Sequence, residues 1–316
     1  MSSLQSWELE NNVVTINDDL FRYDINAHNS IVKSKPWVKD VHYFKYIRVS
    51  AHALLKMVTH ARRGGNLEVM GMLFGKVTHN TMIVMDSVAL PVEGTETRVN
   101  AQSEAYEFIT MYKDTVAKIG RTENVIGWYH SHPGYGCWLS GIDVTTQTMN
   151  QTYQDPFVAV VLDPVRTVSS GKVNIGAFRT YPRHYSPPDQ GPSEYQSIPL
   201  NKIEDFGVHC KQYYPLVMSY FKSSLDKSIL DILWNRYWTS TLTSSSILSQ
   251  PDYMAELTKD LAEKVASTDR KLCQSGMHKF DIEEEASKVS KDAAKLANEE
   301  LAGLMGQLIK YDVFNQ

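Results

Sequence analysis

Val125-Ile-Gly-Trp-Tyr-His130-Ser-His132-Pro-Gly-Tyr-Gly-Cys-Trp-Leu-Ser140-Gly-Ile-Asp143 opens as a short apolar strand and is stopped by Pro133-Gly134. Alternate residues of a strand share a face and lie only about 6.6–6.8 Å apart along it. His130 and His132 can therefore turn both imidazoles toward one ion, at the usual zinc–nitrogen distance of about 2.0–2.1 Å. Asp143 comes after a loop that leads into a new helix. Three ligands with a fourth position open to water form the pattern of a catalytic rather than a structural zinc. The bare His-x-His pair also occurs as two hydrogen-bonded structural residues, so the flanking chemistry decides its weight. Pro133, Gly134, Gly136 and Gly141 make this a shaped loop, and shaped loops carry sites. Ser140 is placed either to cap a helix through its hydroxyl or to point at a substrate on the metal.

Upstream, Ser50 is a good N-cap for a helix carrying Leu54, Leu55, Val58 and Ala61 at helical spacing, closed by Gly64-Gly65. Glu68 stands at the mouth of the next apolar strand, as either a solvated end charge or a site residue. Met82 to Leu90 returns as the second strand of a hairpin. The polar stretch 91–103 reads as a connecting loop with two carboxylates, leading into a helix from about Ser103 to Ile119. Downstream, Val144 to Gln151 continues as helix. Phe157 to Leu162 is a continuous apolar run, hence a strand buried on both faces, and Lys172 to Tyr181 is its antiparallel neighbour. The proline-rich block 182–199 is an irregular surface excursion. The result is an α/β fold with a mixed, largely antiparallel sheet flanked by helices, ending near residue 215.

Residues 1–40 form a polar lead-in with helical hints from Leu9 to Ile25, packing on the core through Trp37, Tyr43, Phe44 and Tyr46. Beyond residue 220 the pattern turns amphipathic and helical. One stripe runs through Leu225, Ile229, Ile232 and Leu233, another through Met254, Leu257, Leu261 and Val265, and a last one from Ile282 to Leu308. Such stripes are buried against other helices, of this chain or of a partner.

The chain has 316 residues with a net charge of −4, so no basic field points to nucleic acid. No apolar run is long enough to span a membrane, and the N-terminus lacks the pattern of a secretory signal. Cys137, Cys210 and Cys273 are scattered and odd in number, which suits a reducing compartment, cytoplasm or nucleus. Cys137 lies close to the histidines, yet no base pairs with it as a thiol nucleophile would need.

His130-Ser-His132-Pro followed by Gly136-Cys-Trp-Leu-Ser140-Gly-Ile-Asp143 resembles the JAMM motif of the MPN-domain metalloproteases. Glu68-Val-Met-Gly-Met-Leu-Phe-Gly75 resembles the strand on which that family keeps its catalytic glutamate. The resemblance implies an MPN domain over residues 41–220, followed by a helical extension for complex assembly over 221–316. It implies one Zn²⁺ held by His130, His132 and Asp143, with Glu68 as general base and acid and Ser140 as donor to the oxyanion. These enzymes cut isopeptide bonds that join ubiquitin or ubiquitin-like proteins to lysines.

Three further stretches resemble the signalosome branch of the family: Lys35-Pro-Trp with His42-Tyr-Phe-Lys-Tyr46, Leu90 to Asn100, and Ile198 to Tyr214. That branch implies neddylated cullin-RING ligases as substrate. It also implies other signalosome subunits as partners, through the MPN domain and the C-terminal helices. Glu96, Thr97 and Arg98 would then form a loop beside the site, Glu96 able to approach the metal and Arg98 able to meet a substrate tail. Two alternatives stay open: a deubiquitinase of the proteasome-lid type, and a non-catalytic MPN scaffold.

Overall fold

Apolar runs that are far apart in the chain meet in one mixed sheet, curled into a half-barrel and flanked by helices. The structure is a computed structural model that describes residues 13–15, 24–94, 101–170, 172–182, 185, 187, 197–228, 251–273, 286–298, 300, 301, 304 and 305. In chain order, β1 (Val13–Thr15) and α1 (Ile25–Ser34) precede β2 (Tyr46–Ser50), α2 (Ala51–Gly64) and the hairpin of β3 (Glu68–Thr78) and β4 (Thr81–Gly94). Next come α3 (Ala101–Ala117), β5 (Asn124–Ser131), α4 (Gly141–Gln154), β6 (Val158–Asp163), α5 (Pro164–Ser170) and β7 (Asn174–Thr180). They are followed by α6 (Ile203–His209), β8 (Tyr213–Pro215), β9 (Val217–Lys222) and α7 (Pro251–Cys273). Residues 286–298 are also helical.

The strand order is β1-β9-β2-β4-β3-β5-β6-β7-β8. β3 pairs antiparallel with both β4 and β5, which are the longest ladders, and β6–β7–β8 are antiparallel. β5 and β6 run parallel, as do β1, β9, β2 and β4 along their shared ladders. Every residue of β6 is buried, as its unbroken apolar run implies for a strand covered on both faces.

Two cores lie on opposite faces, and neighbouring residues of β5 divide between them. Tyr129 joins Leu54, Met57 and Ala61 of α2 on one face. Trp128 joins Leu139 and Val144 of the α4 side on the other. α2 starts where Ser50 caps it, the hydroxyl accepting from Ala53 N at 3.1 Å.

Two features depart from the sequence reading, and a third settles a point it left open. Val13–Thr15, read with helical hints, is a strand pairing with β9, and most of the rest of that Leu9–Ile25 reading lies outside the described residues. Two β-branched valines and a threonine suit a sheet edge better than a helix. The sheet also continues past residue 215, because β9 slots between β1 and β2 and buries Phe221 completely. The sequence left the partner of the α7 stripe open, and α7 makes contacts within this chain. Lys264 is buried, pairs with Asp260 and Asp292 at 2.9 and 2.8 Å, and donates to the Ile198 carbonyl. Most of the stripe that begins at Leu225 lies outside the described residues.

Candidate metal centre

Register decides which side chains meet. Met70 of β3 is the ladder partner of His130 on β5, so even-numbered residues near both sites share one face. Glu68, His130 and His132 therefore lie on the Trp128 side of the sheet. β5 ends at Ser131, but His132 N still donates to the Leu162 carbonyl of β6 at 2.9 Å, which carries the second histidine alongside its neighbour. Ser131 points the other way and its Oγ accepts from Val69 N at 3.0 Å.

Asp143 arrives from the opposite direction, in the first turn of α4. Ser140 is the N-cap: its Oγ accepts from Asp143 N, while the Asp143 carboxylate accepts from Ser140 N at 2.9 Å and Ser140 Oγ at 2.7 Å. One turn on, Gln147 accepts from Trp128 Nε1 at 2.9 Å and donates to the Phe157 carbonyl at 3.0 Å. That buried amide fixes α4 over β5, with Asp143 above the two histidines.

The three side chains form a tight, dry group. His130, His132 and Asp143 are 4, 2 and 9% exposed, and one donor atom from each lies within 4.8 Å of the others. The two Nε2 atoms are 2.9 Å apart, and Asp143 Oδ2 is 3.2 Å from the first and 3.6 Å from the second. Burial alone would lower the His130 pKa, but the Asp143 and Glu68 carboxylates raise it above the ordinary histidine value. Burial lowers that of His132. Burial would raise the Asp143 pKa, yet the two facing imidazoles hold it well below the usual carboxylate range.

Donor atoms that converge in a buried site are held together by a shared proton or by a metal ion between them. The donor set fits zinc. Two imidazoles and a carboxylate are ligands that Zn²⁺ takes in catalytic sites. His132 Nδ1 lies 3.0 Å from the Gly136 carbonyl, which can only accept, so Nδ1 carries the proton and Nε2 is bare. His130 stacks on Trp128 and its own Nδ1 is buried without a partner among the described residues.

Glu68 stands at the rim of this group, half-buried, and accepts a hydrogen bond from the Tyr135 hydroxyl. Glu96, Thr97 and Arg98 lie outside the described residues. Cys137 is buried, its Sγ is 3.0 Å from Asn174 Oδ1, and burial pushes the thiol pKa up, which leaves little thiolate to act as a nucleophile.

Residues 42–156 match the JAB1/Mov34/MPN/PAD-1 ubiquitin protease family, and residues 243–315 match the Cop9 signalosome subunit 5 C-terminal domain. The COP9 signalosome complex subunit 5 of Dictyostelium discoideum is 59% identical over 318 residues, covering 99% of this chain and 96% of that protein. The chain belongs to the COP9 signalosome subunit 5 family. The subunits of that name in Drosophila melanogaster and Arabidopsis thaliana (form 5b) are 58 and 56% identical, covering 99 and 98% of this chain and 96 and 91% of theirs. Of the stretches that resemble the family motif, the fold gathers His130, His132 and Asp143, with Glu68 on the same face.

Within this family's site, the sequence reading passed over four residues. Tyr135 meets Glu68, Gln147 docks α4, and Asp163 with Arg166 braces the loop after His132. A glutamine at one-turn spacing from Asp143 was the only local signal among them. The partners of His60 were missed too: it is half-buried, with Nδ1 2.8 Å from the Tyr129 hydroxyl.

Proposed function

We propose that this chain is a zinc-dependent isopeptidase that removes a ubiquitin-like modifier from cullins, as the catalytic subunit of a signalosome. The observation that carries the reading is the buried His130–His132–Asp143 group with Glu68 on the same face. Family membership and the names of the relatives support assembly with other signalosome subunits. Neddylated cullin-RING ligases are the substrate class this reading selects, and cytoplasm and nucleus are its locations.

His130, His132 and Asp143 would hold the ion. Bound there, zinc supplies Lewis acidity and lowers the pKa of a water toward about 7, so that a nucleophile is available at neutral pH. Glu68 would take a proton from the attacking water and return it to the departing lysine amine. Ser140 would donate from Oγ to the oxyanion that develops at the scissile carbonyl, and its proton now goes to Asp143 Oδ2. The Trp128, Trp138 and Tyr135 rings pack against the two buried imidazoles and help to keep them dry. Glu96, two positions after β4 ends, would block the site in the free subunit, with Thr97 and Arg98 contacting the substrate tail. The MPN domain and the C-terminal helices, α7 among them, would carry the contacts to partner subunits.

The test uses the full chain assembled with its partner subunits on a neddylated cullin. Cleavage should stop with a zinc chelator and persist after alkylation of thiols. Loss with the alkylator and persistence with the chelator would overturn the reading in favour of a cysteine nucleophile.

A further inference from the structure

Asp163 ends β6 with a carboxylate that has no exposure to solvent. A buried charge persists only when it is fully partnered. Here four backbone N–H groups and a guanidinium do this from two directions. Oδ1 accepts from Gly134 N at 3.0 Å and from Val165 N and Arg166 N at 3.0 and 2.9 Å. Oδ2 accepts from Gly136 N at 2.9 Å, with Arg166 Nε 3.4 Å away. One side chain thus clamps both ends of Gly134-Tyr135-Gly136. Both glycines have left-handed backbones, with φ of 88° and 87°, a shape that glycine takes without strain.

The clamped turn has two outputs, and both reach the site. The Gly136 carbonyl accepts from His132 Nδ1, leaving Nε2 bare toward Asp143. Tyr135, between the glycines, stacks on His132 with ring centres 4.4 Å apart and donates its hydroxyl to Glu68. Release of the Gly136 end would free the imidazole to change tautomer or rotate, and would carry the tyrosine off the glutamate.

We propose that Asp163 is a positioning residue for the metal centre: through the Gly134–Gly136 turn it fixes the tautomer of His132 and the placement of Tyr135 on Glu68. The inference rests on the metal reading of His130, His132 and Asp143. Asp163 touches neither the ligand atoms nor Glu68, and acts on both through the turn.

Asp163→Asn isolates this role. Asparagine can keep its carbonyl oxygen toward Gly134 and α5, but then sets an NH₂ donor against the Gly136 N–H. The full-length, metal-free chain labelled with ¹⁵N-histidine reports the His132 tautomer by its long-range ¹H–¹⁵N correlations. A dye-competition titration with zinc alone reports affinity. The variant should fold with the melting curve of a native protein, lose the single Nδ1–H tautomer of His132, and bind zinc about 10- to 100-fold more weakly. An Asp163→Asn chain with the wild-type tautomer and zinc affinity would overturn the proposal. If Asp163→Asn does not fold, Gly136→Ala disturbs the same turn from its other side: tautomer loss there supports the clamp, and an unchanged His132 overturns it. A wild-type chain that binds no zinc would instead defeat the metal reading, while the tautomer measurement still judges the clamp.

Discussion

Glu68 and Gly94 face each other across the β3–β4 ladder, the first residue of one strand against the last of the other. The described end of β4 therefore lies beside the proposed general base, and Glu96 follows Gly94 by two positions in the sequence. The nearness of Gly94 to Glu68 motivates a test of the gating idea. If Glu96 closes the site of the free subunit, Glu96→Ala should raise turnover of a neddylated cullin by the isolated chain. The gain should be about tenfold or more, because a minor open state typically holds no more than about 10% of the population. Equal rates for the variant and the wild type would count against blockade by this residue.

Ser140 has two jobs in different currencies. As N-cap of α4 its hydroxyl is worth about 0.5–2 kcal/mol of stability. As an oxyanion donor it would be worth about 10²–10³ in turnover. Ser140→Ala should show both losses and still bind zinc, because the Ser140 N–H that holds Asp143 is unchanged. Denaturant unfolding, metal analysis and single-turnover cleavage separate the three quantities. Full activity in the variant would remove Ser140 from the chemistry and leave it as a cap.

Metal binding should displace a proton. The Asp143 and Glu68 carboxylates outweigh the opposing effect of burial and raise the His130 pKa above its ordinary value, so the metal-free site keeps a proton there up to higher pH than a free histidine would. A ligand must be deprotonated to bind, so zinc expels that proton. Calorimetry in buffers of different ionisation enthalpy should show about one proton released near pH 6 from this site, falling as the pH rises through the raised His130 value. No proton released near pH 6, below the range where a zinc-bound water ionises, would show that the histidine proton is absent.

Tyr112 gives an alkaline signature away from the metal. Its hydroxyl donates to Asp86 Oδ2 at 3.0 Å and ties α3 to β4. Burial, with Asp86 beside it, pushes the phenol pKa up to about 12. A raised pKa means the folded protein binds the proton more tightly. The stabilisation is complete below pH 10, the ordinary tyrosine value, and is lost as the pH rises from there through about 12. Tyr112→Phe should therefore flatten part of the fall in melting temperature over that window. An unchanged slope would contradict the linkage.

How much of this was legible in the chain follows from what is local. His130, His132 and their shared face come from the two-residue period of a strand, and Asp143 from the Ser140 cap, all within nineteen residues. Glu68 was ambiguous from its pattern alone; the resemblance proposes it as a site residue, and the β3–β5 register puts it on the face of the histidines. Asp163 was not legible, because its role depends on β6 lying parallel to β5, and no local pattern encodes that neighbour. β9 was missed for a similar reason: Val217–Lys222 is too short and mixed to announce a strand until β1 and β2 flank it. The C-terminal stripe announced a helix but not its partner. Lys264 turned out to join α7 to Ile198 and Asp292 of the same chain.

The central claim is tested most directly by one paired measurement on the complex assembled with its partner subunits: zinc content, and cleavage rates on a neddylated cullin and a ubiquitin-linked chain, for wild type and Asp143→Asn. The account predicts one zinc per wild-type chain, faster release of the cullin-linked modifier than of ubiquitin, and loss of both metal and cleavage in the variant. Undiminished cleavage by an Asp143→Asn complex free of zinc would contradict it.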